Sequence, residues 1–256
     1  MRPEVISIAG FDPSAGAGLL ADIKTFESHR VYGFGVCTAL TVQNENMCSE
    51  VHWVAVEKIR KQIDILFETH HIAFAKIGLI INLNILEEII LHIKKLQPGI
   101  FILWDPIIQS GSGYVFHRDI DREKLLSVCG QIGLITPNMP EMQALMNAKD
   151  AGAGAKELSA HCPVLLKGGH GQAQLTVDLL FDQMEKTEIY NGEMRSETEK
   201  HGTGCVLSSA ILANLAQGEN LAQSCRNAKK YTFGFIAGNA GMLGYHLKDY
   251  HLTIAN

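Results

Sequence analysis

No block of like charge runs through the 256 residues: 22 Lys+Arg against 27 Asp+Glu leave a formal net charge of -5. Without a basic stripe or tail, nothing in the chain draws it electrostatically to nucleic acid or to an anionic membrane. Paired CxxC spacing and zinc-type His/Cys spacing are missing as well. The six cysteines, at 37, 48, 129, 162, 205 and 225, therefore read as free thiols of a reducing compartment. The start "MRPEVISIAGFDPS" has no signal-peptide apolar core, and no apolar run is long enough to span a bilayer. These absences predict a cytoplasmic protein with no membrane or nucleic-acid partner. Internal repeats, low-complexity tracts and Pro/Ser-rich linkers are lacking too, so residues 1–256 are expected to form one domain. Exposed heptads are absent, which leaves a structural or interaction role without support.

The chain does contain a regular alternation. The short runs "VISIAG", "GVCTALTV", "FAKIGLII", "FILWDP", "GLITPN" and "VLLKGG" are rich in Val, Ile and Leu and end near Gly, Pro, Asn or Asp. Between them, "AGLLADIKTFESH", "VEKIRKQIDILFETH", "LNILEEIILHIKKL" and "EMQALM" space apolar residues three or four apart. That is the pattern of βα units around a mainly parallel sheet, an α/β fold. Two helices are predicted at the end, Thr203 to Gln217 with Gly218 as C-cap, and Leu221 to Gly238. Residues 176–191 read as an antiparallel hairpin on the sheet edge, and 148–157, "AKDAGAGAKE", as a loose surface connection.

Ligands of an open parallel sheet bind beyond the carboxyl ends of its strands. The first strand ends in "GFDPSAGAGLLAD", a glycine-rich turn into a helix. This is neither GxGxxG nor a P-loop, and it suits either a polar ligand or merely a tight turn. "WDPI" puts Asp105 at a strand end, as a functional carboxylate or a turn residue. "TPNMPE" sets Asn138 and Glu141 three apart, as a helix cap or as a partner for Mg²⁺. In "HGTGC", Gly202 and Gly204 free successive amides at a helix N-terminus, the makings of an anion hole. Cys205 in that first turn is either a small core residue or a thiol of lowered pKa able to take a proton from an attacking hydroxyl.

Taken in order, "IAGFDPSAGAGLLADIKTF", "VYGFGVCTALTVQN", "KIGL", "WDP", "LITPNMPE", "LLKGGH" and "HGTGCVLSSAI" resemble the hydroxymethylpyrimidine/phosphomethylpyrimidine kinases of thiamine biosynthesis, in the ribokinase-like superfamily. The resemblance spans nearly the whole chain. It implies a three-layer α/β/α sandwich with a mainly parallel central sheet and a small β flap, and homodimers as in its relatives. It implies transfer of the γ-phosphoryl group of ATP, with Mg²⁺, to the hydroxymethyl group of 4-amino-5-hydroxymethyl-2-methylpyrimidine, and then to its monophosphate. Carried over by position, Cys205 is the base and Gly202, Thr203 and Gly204 form the anion hole. Gly10, Ala17, Asp22, Thr41, Gln43, Leu79 and Ile107 line the pyrimidine pocket, where the Gln43 amide suits a ring nitrogen and its amino group. Asp105 and Glu141 are placed near the metal, with Asn138, Glu141 and Lys167 beside the nucleotide phosphates.

The departures are local. Gln109 stands where the family has lysine in "KSG", Glu199 and Lys200 precede the anion hole, "KIGLI" replaces "KIGML", and the interval between "TPNMPE" and "LLKGGH" is short, as if a helix were trimmed. They bear on the second phosphorylation. Gln109 and Glu199 also motivate a second reading, a catalytically silent pyrimidine-binding protein, and the resemblance itself brings a third, a pyridoxal kinase, because some members of the subgroup phosphorylate a pyridine hydroxymethyl on nearly the same scaffold.

Overall fold

The computed structural model describes residues 2–109, 116, 120–168, 177–189 and 200–246. Among these residues nine strands form one sheet: β1 (Glu4–Phe11), β2 (Tyr32–Gln43), β3 (Cys48–Trp53), β4 (Phe74–Ile77), β5 (Phe101–Trp104), β6 (Leu134–Ile135), β7 (Val164–Leu166), β8 (Asp178–Asp182) and β9 (Glu185–Ile189). Their order across the sheet is β3-β2-β1-β4-β5-β6-β7-β8-β9. The pairings from β2 to β7 are parallel, whereas β3, β8 and β9 join antiparallel. β2 lies on one side of β1 and β4 on the other, so the chain reverses its winding at β1. A crevice opens beyond the strand ends at such a switch point.

The helices are α1 (Gly18–Ser28), α2 (Val56–Phe67), α3 (Leu83–Leu96), α4 (Arg122–Cys129), α5 (Met139–Met146), α6 (Ala151–Leu158), α7 (Thr203–Ala216) and α8 (Leu221–Ala237). Strand alternation sorts them into two layers. Ile6, Ile8, Ile102 and Ile135 face a core shared with α2 to α6, whereas Val5, Leu103, Leu134 and Leu165 face one shared with α1, α7 and α8. This is the expected three-layer α/β/α sandwich. Every residue of α7 from Cys205 to Asn214 is buried, as an apolar helix enclosed on all sides must be. Among the described residues no helix is long and apolar enough to cross a membrane.

Three elements depart from the sequence expectation. Residues 148–157 are largely helix, not a loose connection: Asp150 caps α6 by accepting from the Gly152 and Ala153 amides, and its small residues let it press against α5, where a Cβ at Gly154 would stand 3.3 Å from that of Met146. The short interval before "LLKGGH" thus still holds a packed helix. α4, capped by Asp121, and the largely exposed edge strand β3 lack the long apolar periodicity that marks the other elements. The hairpin is observed as β8 and β9; its flanking residues 176, 190 and 191 lie outside the described ones.

Two glycines at the ends of α7 are held differently. Gly218 (φ 96°) follows the last turn and, with Glu219, returns amides to Leu215 and Asn214, a Schellman closure in place of the cap expected at 218 itself. Gly202 (φ 76°) precedes the first turn, and a Cβ there would fall 1.9 Å from the Gly16 carbonyl oxygen, whereas nothing stands within 4 Å of one at Gly218. Gly218→Ala carries backbone strain only and is expected to cost about 1 kcal/mol. Gly202→Ala adds a backbone collision and is expected to cost about 3 kcal/mol or more. Urea denaturation of the two variants checks the difference.

Candidate active site

A cavity of about 420 Å³ opens where the strands end. β1 delivers Gly10, and the turn after it Ala17 and Gly18; β2 contributes Thr41 and Gln43. Leu79 follows β4, and Asp105, Ile107 and Gln109 follow β5. Asn138 and Glu141 come from the start of α5, Lys167 from beyond β7, and Gly202, Thr203, Gly204 and Cys205 from the start of α7. Hydroxyl bonds fix the walls: Thr41 donates to the Phe11 carbonyl at 2.8 Å and Thr38 to the Leu79 carbonyl at 2.6 Å.

Of the residues carried over from the family resemblance, only Asp22 does not line this cavity. Its carboxylate is completely buried beneath it, paired with Lys76 and accepting the Ser7 and Ser209 hydroxyls at 2.5 and 2.7 Å. The loop after Gln109 (110–113) and Glu199 lie outside the described residues. Lys200 borders the cavity, but its ammonium donates to the Asn239 and Gly241 carbonyls.

The cavity has two chemically distinct ends. Gly10, Ala17, Leu79 and Ile107 make an apolar end with Gln43 as its amide; a Cβ on Gly10 would approach Leu79 to 2.9 Å. Lys167, Asp105, Asn138 and Glu141 make the polar end. Asp105 accepts from Lys167 at 3.0 Å and from the Thr136 and Ser208 hydroxyls, each at 3.0 Å. Burial opposes its charge, but Lys167 and Lys76 outweigh it and hold the carboxyl below its ordinary range. Burial likewise opposes the Lys167 ammonium, and Asp105 and Glu141 raise it above the usual lysine range. Glu141 closes a capping box with Asn138, each side chain accepting the other's amide at 2.7 and 2.8 Å. Burial and the neighbouring Asp105 charge push its carboxyl up, against Lys167 and the Asn138 amide.

Among the described residues no three His, Cys, Asp or Glu side chains gather into a metal cage. The oxygen donors here nonetheless suit Mg²⁺ delivered with phosphates, which needs only one or two protein carboxylates. Asp105 already serves three donors, so Glu141, 3.8 Å from Lys167, is the more available ligand.

Between the two ends sits the start of α7. Gly204 faces the polar end, where a Cβ would meet Lys167 Nζ at 3.3 Å and Asp105 at 3.8 Å. Cys205 follows it in the cavity lining, and its sulfur accepts the backbone N–H of Gly18, the first residue of α1. α1 has no side-chain cap, so the sulfur takes up the Gly18 amide that the helix start leaves unpaired. The lowered thiol pKa expected from helix position is not what the structure gives. Burial pushes the Cys205 thiol up to about 11, with Asp22 and Asp105 adding to the rise and Lys76 and the Gly18 amide opposing it.

Sequence reading missed Asp12 and Gly18. Asp12 is buried and accepts from Ser14, from the Ala17 amide at 2.9 Å and from His201 Nε2 at 2.8 Å. Burial opposes its charge, and these bonds, led by that of His201, outweigh it and lower its carboxyl pKa. The Asp-Pro-Ser turn signalled the local bonds; the bond to His201, which ties the first turn to the α7 loop, spans 189 residues and left no local signal.

The profile of the phosphomethylpyrimidine kinase family matches residues 12–248. The hydroxymethylpyrimidine/phosphomethylpyrimidine kinase of Aquifex aeolicus (strain VF5) is 35% identical over 255 residues, covering 96% of this chain and 99% of the relative. That of Escherichia coli (strain K12) is 32% identical over 92% of this chain and 91% of its own. The crystal structure of phosphomethylpyrimidine kinase from Clostridium difficile 630 superposes with a TM-score of 0.75 at 32% identity, covering 91% of this chain and 98% of that one. An ADP complex of Bacillus subtilis pyridoxal kinase, at 24% identity, has a TM-score of 0.79 over 92% of each chain and shares the fold. On this match across nearly its whole length, the chain belongs to the phosphomethylpyrimidine kinase family.

Proposed function

We propose that the protein transfers the γ-phosphoryl group of ATP to the hydroxymethyl group of 4-amino-5-hydroxymethyl-2-methylpyrimidine, and then to the resulting monophosphate, in thiamine biosynthesis. The observation that carries this reading is the place of Cys205, between an apolar pocket with one amide and a polar end with a paired lysine. The pyrimidine ring lies against Leu79 and Ile107, with its amino group and a ring nitrogen on Gln43. Its hydroxyl oxygen attacks the γ-phosphorus, the bond to the bridging β-phosphate oxygen breaks, and ADP leaves. The hydroxyl proton passes to the Cys205 thiolate, and the resulting thiol later releases it to solvent. Charge on the transferring group is met by the amides of Gly202 to Gly204 and by Lys167, so positioning and electrostatics supply most of the catalysis. Mg²⁺ bound with the phosphates at Glu141 would neutralise part of their charge.

ADP release by the purified protein with Mg-ATP tests the reading. Turnover is expected with the hydroxymethylpyrimidine and with its monophosphate. Preference for pyridoxal, or binding of all three compounds without turnover, contradicts it; turnover of the first alone ties the missing second step to Gln109.

A thiol raised by burial is protonated at neutral pH, and its thiolate fraction grows with pH until the raised value is reached. The single-turnover rate is therefore expected to rise about tenfold per pH unit between roughly pH 7 and 9. A flat profile under the same conditions argues against a thiolate base. His201→Ala, which frees the first turn from the α7 loop, is expected to lower kcat modestly, by about three- to tenfold, and His201→Gln to restore part of it. An unchanged rate in His201→Ala removes that residue from the site.

A further inference from the structure

The deepest charged groups under the cavity have no part in the chemistry described so far. Lys76 of β4 and Asp22 of α1 are both wholly buried and form an ion pair. Asp22 also accepts the Ser209 hydroxyl at 2.7 Å, and Ser209 lies four residues after Cys205, one turn deeper on the same face of α7. The pair thus sits beneath the sulfur, on the side away from the cavity mouth.

Stability alone does not account for a full positive charge at this depth. Burying an ammonium and a carboxylate is costly even when they are paired, and an apolar pair of similar volume is often as stable or more so. The charged groups acting on the Cys205 sulfur come from α1, from β4 and from the segments after β5 and β7. Asp22 on α1 and Asp105 after β5 oppose a negative sulfur, while Lys76 on β4 favours one. Lys167 after β7 also interacts with it, but lies at hydrogen-bond distance from Asp105. Lys76 stays charged because Asp22, Cys205 and Asp105 together outweigh its burial.

We propose that Lys76 is a positioning residue for phosphoryl transfer: its buried ammonium, fixed by Asp22, is the internal counter-charge of the Cys205 sulfur. The negative sulfur is stabilised from below by Lys76 and from the side by the Gly18 amide, which leaves the cavity face free for the substrate hydroxyl. The role in catalysis rests on Cys205 being the base; the electrostatic link between the two residues does not.

The test reads that link directly. In the double variant Asp22→Asn/Lys76→Met, which leaves no unpaired charge, alkylation of Cys205 by iodoacetamide is followed on its peptide by mass spectrometry between pH 7.5 and 9.5. The rate is expected to fall about threefold or more at each pH, the effect of about half a unit of thiol pKa, because the loss of Lys76, the larger influence on the sulfur, exceeds the loss of the opposing Asp22; alkylation of Cys48, on the edge strand β3, is unchanged. kcat is expected to fall by a similar factor, with KM for the pyrimidine held within about twofold. Slower alkylation with unchanged kcat supports the counter-charge and overturns Cys205 as the base. Unchanged or faster alkylation in a folded variant overturns the proposal, whatever happens to kcat. Asp22→Leu/Lys76→Met, an apolar replacement of the same pair, provides the same readout if the first variant does not fold.

Discussion

The contact of Gly202 with Gly16 is the constraint on which the rest of the site depends. It brings the loop before α7 against the turn before α1, so two helix N-termini lie side by side. Both carry partial positive charge and unpaired amides, and their approach is unfavourable unless something negative lies between them. Inside the fold, Asp12 supplies part of that negative charge by accepting from both His201 and the Ala17 amide. At the cavity surface the sulfur of Cys205 meets the Gly18 amide, and in the proposed function the amides of residues 202–204 hold the anion. On the function proposed above, a site built this way is prepared for a phosphoryl group before any substrate arrives.

A second consequence concerns the distribution of charge. Asp105 does not stand free at its strand end; it anchors Lys167 on one side and takes the Ser208 hydroxyl from α7 on the other. It thereby sets the distance between the lysine and the start of α7. Glu141, locked into the cap of α5, completes the polar end. Two carboxylates with one lysine between them make an environment suited to phosphates that arrive with a divalent cation, rather than to a permanently bound metal.

Much of this was legible in the chain because it depends on local rules. Strand runs, amphipathic helices, the capping box at Asn138 and the glycines of "HGTGC" each carry their reason within a few residues. Asp105, Asn138, Glu141 and the start of α7 were legible because ligand sites cluster at strand ends, whereas Thr41, Gln43, Leu79, Ile107 and Lys167 came from the family resemblance alone. What could not be read depends on distance in sequence. The Asp12 bond to His201 and the burial of Asp22 on Lys76 need the fold to exist first. The sign of the shift at Cys205 was misread for the same reason: helix position is local, but desolvation belongs to the packed structure and here outweighs it. α6 escaped notice because its glycines and alanines look like a loop until α5 is packed against them.

The central claim is that the sulfur of Cys205 acts on the proton of the substrate hydroxyl rather than filling space. The most direct measurement is the single-turnover phosphoryl-transfer rate of Cys205→Ala together with its dissociation constant for the hydroxymethylpyrimidine. A base acts in the transition state. The rate is therefore predicted to fall by about a hundredfold or more while the dissociation constant stays within about threefold of the parent. A rate and an affinity that fall together would identify Cys205 as a packing residue and contradict the account.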